Sequence, residues 1–423
     1  MVNKILLLCA TVFWSFALFA QSEGDQLPKW QEGYFDIHHI STGRGDATFL
    51  VLPDGTTMLI DAGDMSETHS RTLSSRNTPL WPNRTKTTGQ WIADYIRQFT
   101  PDNSSSVIDY AIITHYHDDH FGEIDSMRNV HQSGGYQLTG ITEVGSLIPI
   151  ATMIDRGDDF PLDLKDNEIQ ARLTKGDAYQ MIGTLQNYWK FIDYQKRTSG
   201  LHYETLAPGT HNQLVLTRSP EKYGDFCIRN IAVNGKIWTG EGESYYSLFS
   251  SGQYPGENSL STCLKFSYGL FDYFTGGDIN GVDQFGHSDF DRVESHVAPV
   301  IGPVDVATLN HHGNRDSQNT FYVRTLRPRV WIGQTWSSDH PDNNVLRRLL
   351  SEDLYPGDRD LFSTAMLQAN REVIGSLLDR YKSQQGHIVV RVAPKGGRYS
   401  IFVLNCESEK REIIGTYGPY NSR

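Results

Sequence analysis

The sequence predicts an α/β protein whose strands and helices pack in layers. Two hairpins stand in succession near the start, short strand candidates recur through the second half, and turns or helices separate them. At 423 residues, 38% hydrophobic and 21% charged, the chain suffices for one large domain or two smaller ones, and its composition is globular rather than disordered. No internal repeat or low-complexity run argues for another architecture.

Taken in order, the first element is a leader. Lys4 precedes an apolar stretch from Ile5 to Phe19, broken only by Thr11 and Ser15, and Ala20 precedes a polar stretch. This pattern reads as a secretory signal peptide over residues 1–20 with cleavage after Ala20. The alternative is an N-terminal anchor helix, against which the apolar run is shorter than the ~20 residues of a membrane span. Later segments are too short or too polar to span a bilayer, so the expectation is a soluble domain over 21–423, secreted or periplasmic. A net charge of −12 argues against indiscriminate nucleic-acid binding, which rests on Lys and Arg neutralising phosphates, though a local basic groove is compatible with it. Once Cys9 leaves with the leader, Cys227, Cys263 and Cys406 remain, an odd number without metal-binding spacing; buried structural thiols are expected.

The hairpins come next. Tyr34 to Ile40 alternates, Thr42-Gly43-Arg44-Gly45-Asp46 is a turn, and Ala47 to Leu52 is apolar. Pro53-Asp54-Gly55 turns again into Thr57-Met58-Leu59-Ile60, which ends at Asp61-Ala62-Gly63. A polar stretch precedes a helix over 89–99 with Trp91, Ile92, Tyr95 and Ile96 on one face. Val107 to Thr114 is a strand. Residues from about 126 to 256 show no repeating pattern apart from an apolar stretch at 146–154 and a helix-like 177–195, and read as an insertion of lid or specificity loops. Strand candidates return at 259–266, 273–275, 304–310 and 330–333, helices at 344–351 and 361–378, and a closing hairpin joins 387–392 to 399–404.

The strand ending at Thr114 delivers His115-Tyr116-His117-Asp118-Asp119-His120. Residues two apart in extended backbone share a face, so His115 and His117 project together, and Asp119 and His120 add a carboxylate and a third imidazole past the bend. Nitrogen and oxygen donors so arranged suit one or two divalent ions, Zn²⁺, Mn²⁺ or Fe. The competing reading is a solvated, His-rich loop.

The cluster resembles the His-x-His-x-Asp-His motif of the metallo-β-lactamase superfamily, and further segments resemble it in order. Asp61 in Leu-Ile-Asp-Ala-Gly is similar to an acid that orients the histidine loop without touching metal, and Asp278 in Phe-Thr-Gly-Gly-Asp to a carboxylate bridging two ions. Gly43-Arg44-Gly45-Asp46-Ala47, Glu257-Asn258-Ser259-Leu260, Asn310-His311-His312-Gly313-Asn314 and Asp339-His340-Pro341 resemble the hydrolase domain of the ComEC competence proteins, and phosphorylcholine esterases as well. The resemblance implies a four-layer αββα sandwich with a central insertion. It implies His115, His117, Asp119, His120, Asp278 and His340 as metal ligands, and Asp61 and Asn258 around them. His311 and His312 would overlook the metals as general acid or oxyanion clamp, with His312 slightly favoured as the inward ring. Many members supply another histidine where Glu257 or Asn258 stands here, so the site begun by His115 and His117 is expected to be weak. His202 and His211 are candidate substitutes, each otherwise an ordinary loop histidine.

The function this predicts is metal-dependent hydrolysis of a phosphodiester, with Zn or Mn activating water and Asp119 essential. The substrate would be a small phosphoester, a cell-surface phosphocholine or single-stranded nucleic acid. Opening of a β-lactam or lactone is one alternative, and a non-catalytic DNA-uptake or binding component is another. Aromatics such as Tyr188, Trp189, Tyr194, Tyr203 and Trp238 line a pocket or, more simply, pack a local core.

Overall fold

A computed structural model describes residues 22–102, 107–175, 180–283 and 287–423. The leader expected over 1–20 lies outside the described residues. Among them, no helix is long and apolar enough to cross a membrane, and Cys227, Cys263 and Cys406 are free.

The first half of the chain lays down one sheet. Strands β1 (Phe35–His39), β2 (Thr48–Val51) and β3 (Thr57–Ile60) form the two expected hairpins. Helix α1 (Thr88–Phe99) then crosses over to β4 (Ile108–Ile112), parallel to β3. Thr87 and Gln90 close a capping box at the start of α1, and Trp91, Ile92, Tyr95 and Ile96 are buried as their spacing predicts. The short helix α2 (Asp118–Phe121) and α3 (Gly140–Leu147) lead into β5 (Ile150–Asp155), and α4 (Asn167–Thr174) and α5 (Met181–Thr198) into β6 (His202–Thr205), both strands parallel to their predecessors.

The chain then builds a second sheet. Strands β7 (Phe226–Val233), β8 (Lys236–Trp238), β9 (Tyr245–Ser247), β10 (Cys263–Tyr268) and β11 (Phe271–Thr275) pair antiparallel. Helix α6 (Val293–Ile301) precedes β12 (Val306–Thr308), α7 (Thr320–Leu326) precedes β13 (Val330–Gly333), and α8 (Asn343–Leu349) precedes β14 (Asp360–Ser363); these strands run parallel from β11 onward. Helix α9 (Gln368–Ile374) leads to β15 (Tyr381–Ser383). Finally β16 (His387–Val392), β17 (Arg398–Leu404) and β18 (Ile413–Asn421) return to the first sheet beside β1.

Side-chain alternation turns these sheets into four layers. Leu50, Met58, Ile60 and Ile112 of the first sheet meet Phe266, Tyr273, Val306 and Ile332 of the second in one core between the sheets. Phe49 and Leu59, one position away, face Ile92, Ile96 and Phe191 on the outer helices. On the far side Phe274 and Trp331 face Val297, Tyr322 and Leu346. Strands buried on both faces read as continuous apolar runs, and the result is the expected αββα sandwich.

Two expectations are corrected. Residues 126–256 are not an insertion of loops, for they supply β5 and β6 of one sheet and β7, β8 and β9 of the other. Their polar edge positions, such as the exposed His202 of β6, hid the strand pattern. The helix expected over 361–378 is strand β14 followed by α9, because Leu361 and Phe362 pair in parallel with Trp331 and Ile332.

Candidate metal centre

The centre sits where parallel strands of both sheets end at their carboxyl termini, the usual place for a site in α/β sheets. β3 and β4 run side by side, so Asp61 and Thr114, just past their ends, meet. Asp61 accepts from the Thr114 backbone N–H at 2.8 Å and from its hydroxyl at 2.7 Å. The chain turns at His117, and α2 carries Asp119 and His120 inward. This turn is locked against the 43–46 and 61–63 loops: the Asp46 N–H donates to Asp119 O at 2.8 Å, and the Ala62 N–H to His120 O at 2.8 Å. Glycine is required where these backbones touch, since a Cβ on Gly45 (φ +124°) would lie 2.2 Å from Asp119 O and one on Gly63 2.0 Å from it.

The second sheet brings three more loops. Asp278 follows β11, its N–H donating to Ser261 Oγ at 3.1 Å. His311 and His312 follow β12 in a turn where both residues are left-handed, φ 46° and 54°, a cost that clusters at functional positions. Trp336 and His340 follow β13.

These loops converge on two donor groups that share Asp278. One comprises Asp119, His120, Asp278 and His312, the other His115, His117 and Asp278. Asp278 Oδ1 is 3.2 Å from His120 Nε2, while its Oδ2 is 3.4 Å from His312 Nε2 and 3.7 Å from His115 Nε2. His312 Nε2 also lies 3.0 Å from Asp119 Oδ2, and His115 Nε2 3.1 Å from His117 Nδ1. Away from the centre, His120 Nδ1 is 2.8 Å from Asp61 Oδ2. His312 Nδ1 is 3.0 Å from Gln334 O and 3.1 Å from Asp46 Oδ1.

Electrostatics favour a cation here. Burial opposes charge on His120 and His312, yet Asp278 with Asp119 and Asp61 in one case, and with Asp46 and Asp119 in the other, holds both rings well above their usual range. Burial and the neighbouring His120 push His115 well below it. Burial raises Asp119 and Asp278, but the facing imidazoles outweigh it and hold both low. Among the described residues, His120 Nε2, His312 Nε2 and Asp278 Oδ1 are buried and, though they approach facing groups at 3.0–3.4 Å, none makes a hydrogen bond of good geometry. Buried polar atoms are rarely left so unless they serve another ligand, and nitrogen and oxygen donors in this number fit a divalent metal of the zinc type.

The sequence-predicted residues divide accordingly. His115, His117, Asp119, His120 and Asp278 come together, and Asp61 stands behind His120. His340 does not join the donor group. Its ring stacks on His312 at 4.7 Å between centroids, because the left-handed turn at 311–312 brings His312 in first. Asn258 places its side-chain amide 3.1 Å from His311 Nε2. Glu257 is buried in a bidentate pair with Arg156, at 2.6 and 2.9 Å, and accepts from the Tyr116 N–H at 3.0 Å, so it braces the histidine loop. His202 and His211 are exposed, with His202 paired to Glu204. Trp189, Tyr194 and Tyr203 pack on the core around buried Tyr188, and Trp238 packs on the core of the second sheet and its helices.

The donors open into a cavity of about 490 Å³ whose walls also include Ser70, Arg71, Arg76, Asn77 and Trp336. None of its lining comes from 126–256. The 64–88 stretch, read only as polar, forms one wall, and its spacing carried no motif to reveal this. Asp46, in the turn after β1, stands directly behind His312.

No known family model matches the chain, and no curated protein resembles it in sequence. Among solved structures it is similar to the Zn²⁺-bound PqqB from Methylobacterium extorquens, with 9% identity over 84% of this chain and 99% of that one and a TM-score of 0.31.

Proposed function

We propose that the chain is a metal-dependent hydrolase acting on phosphodiesters. The observation that carries this reading is the pair of donor groups that share Asp278, with His117, Asp119, Asp278 and His312 lining one cavity. Asp119, His120, Asp278 and His312 would hold one divalent ion, Zn or Mn, and His115, His117 and Asp278 would hold a second. When bound, such ions would supply water activation and charge neutralisation at a phosphoryl oxygen.

The chain's own residues supply the rest. With His312 among the donors, proton delivery to the leaving oxygen falls to His311. Its Nδ1 lies 2.6 Å from Asp316 Oδ1, which fixes the ring, and its Nε2 lies 3.9 Å from Asp278 Oδ2 beside the cavity. Asp61 and Asp46 orient the two imidazoles from behind.

Protein loaded with Mn²⁺ or Zn²⁺ should cleave bis-p-nitrophenyl phosphate, and Asp119→Ala should abolish turnover. Activity that persists in Asp119→Ala would sink the proposal. Turnover of nitrocefin without phosphodiester cleavage would move the chemistry to a carbonyl, and a protein that binds neither metal would point to a binding role.

A further inference from the structure

Asp278 and His312 lie on loops that leave two neighbouring parallel strands, β11 and β12. Close to the donors, the His311 N–H ties the loops together by donating to Gly277 O at 3.1 Å. Both loops then run on and meet again at Glu294 of α6, whose own N–H donates to Asn280 O at 3.1 Å.

Glu294 is buried, and its carboxylate receives three donors from the turn that holds His311 and His312. Oε1 accepts from the Asn310 amide and from the Gln318 N–H, each at 2.7 Å, and Oε2 accepts from the Asn319 N–H at 2.7 Å. One side chain therefore closes the 310–319 turn at both ends. The Asp278 loop is drawn to the same place. The Asn319 amide donates to Gly281 O at 2.8 Å, and the Gly281 and Val282 N–H groups donate to Asp316 O at 2.7 and 2.8 Å. Gly281 also makes room for the carboxylate, since a Cβ there would collide with Glu294 Oε2.

Packing does not account for an acid at this position. Arg348, which donates to Ser317 O and Gln318 O, acts on Glu294 only from a distance, and burial pushes the carboxyl up to about 7. A buried carboxylate without a close counter-charge costs stability. The partners explain it instead, because all three are donors and two are main-chain N–H groups that cannot rotate away. A glutamine of the same shape would set its own amide hydrogens against at least one of them.

We propose that Glu294 is a positioning residue of the metal centre: it fixes the turn that carries His312 against the loop that carries Asp278, and so sets the separation of two donors to one ion. This rests on the metal centre of the reading above and is independent of the substrate. Unlike Asp46 and Asp61, Glu294 acts on the loops rather than on a ring.

Two measurements test this without turnover: zinc affinity by competition with a chelating dye, and the visible spectrum of the Co²⁺-loaded protein, whose bands follow the ligand geometry. Glu294→Gln should bind zinc about 10–100-fold more weakly, the scale of losing a group that supports a ligand, and its Co²⁺ bands should shift. Gly281→Ala, whose added methyl displaces the same carboxylate, should do likewise and carries the test if Glu294→Gln does not fold. Val297→Ala, which thins the core beneath the same helix, should lower the denaturant midpoint and keep wild-type zinc affinity and Co²⁺ bands. Wild-type affinity and bands in Glu294→Gln, or in Gly281→Ala where the former does not fold, overturn the proposal. An equal loss of affinity in Val297→Ala also overturns it, since Glu294 would then serve stability alone. A wild-type chain that binds zinc and cobalt but leaves bis-p-nitrophenyl phosphate intact overturns the hydrolase reading and not the role of Glu294; one that binds neither metal overturns both.

Discussion

Asp46 Oδ1 lies 3.1 Å from His312 Nδ1, while the other nitrogen of that ring lies 3.0 Å from Asp119 Oδ2. A carboxylate thus stands behind an imidazole that faces the donor group, as Asp61 stands behind His120 at 2.8 Å. Both carboxylates come from loops of the first sheet, and Gln334, which follows β13 of the second, fixes Asp46 by donating to its Oδ2 at 3.1 Å. Groups in this position orient the ring and raise its basicity, and their removal typically costs about 10–100-fold in metal affinity. Asp46→Ala should therefore weaken zinc binding on that scale in competition with a chelating dye; unchanged affinity would show that Asp46 serves only the turn.

Asp278 belongs to both donor groups and Asp119 to one. Elemental analysis of the purified variants should find both ions missing from Asp278→Ala, whereas Asp119→Ala should keep the ion on His115 and His117. Equal losses in the two variants would contradict a shared carboxylate.

The two histidines beyond β12 and β13 should separate in the same measurement. His312→Ala is expected to lose the ion held with Asp119 and His120, while His340→Ala, which removes a stacking partner, should retain it. Metal loss in His340→Ala alone would restore the assignment expected from the sequence.

Gly45 lies against the Asp119 backbone, where nothing can give way except the metal loop itself. Gly45→Ala should lower stability by about 1–3 kcal/mol or more through overpacking and strain, and should reduce metal content with it. A denaturant midpoint and metal content equal to wild type would refute the close approach.

Acid should destabilise the protein through histidines remote from the centre. His39 lies 3.2 Å from Ile388 O through Nδ1 and 3.1 Å from Tyr273 Oη through Nε2, and burial pushes it down to about 3. Burial also lowers His38, beside Tyr95 and the Arg391-paired Asp36, and takes His387 well below its usual value. Unfolding returns each to about 6.5, so between these values the unfolded chain binds more protons. The stability His39 contributes is complete above about pH 6.5 and is lost as pH falls toward 3, and His38 and His387 act in the same direction. Denaturant midpoints from pH 7 to 4 should fall, and less steeply in His39→Gln; identical slopes would rule out His39 as a cause.

The local elements and the core of the site were legible because their signals are short-range. Thr57 to Ile60 and His387 to Val392 are strands as their apolar runs predict, and His115 to His120 present their donors together because a strand end followed by one helical turn dictates it. The helix expected at 361–378 failed where a parallel neighbour, β13, overrode local pattern. The stretch 126–256 was opaque because its strands are distributed over both sheets and alternate with helices at irregular spacing.

The sequence by itself grouped His115, His117, Asp119 and His120 as candidate donors, since type and spacing at a strand end carry that information, while Asp278 stood out only through the resemblance of Phe-Thr-Gly-Gly-Asp to a family motif. Only the tertiary structure decided that His312 joins them ahead of His340, that Asp46 stands behind it, and that Arg71 and Arg76 wall the cavity. Those choices depend on which loops of two facing sheets meet, and on the left-handed turn at His311 and His312 that swings one ring inward. Contacts between residues hundreds of positions apart, such as Asp46 with His312, are fixed by sheet packing and leave no periodic trace along the chain.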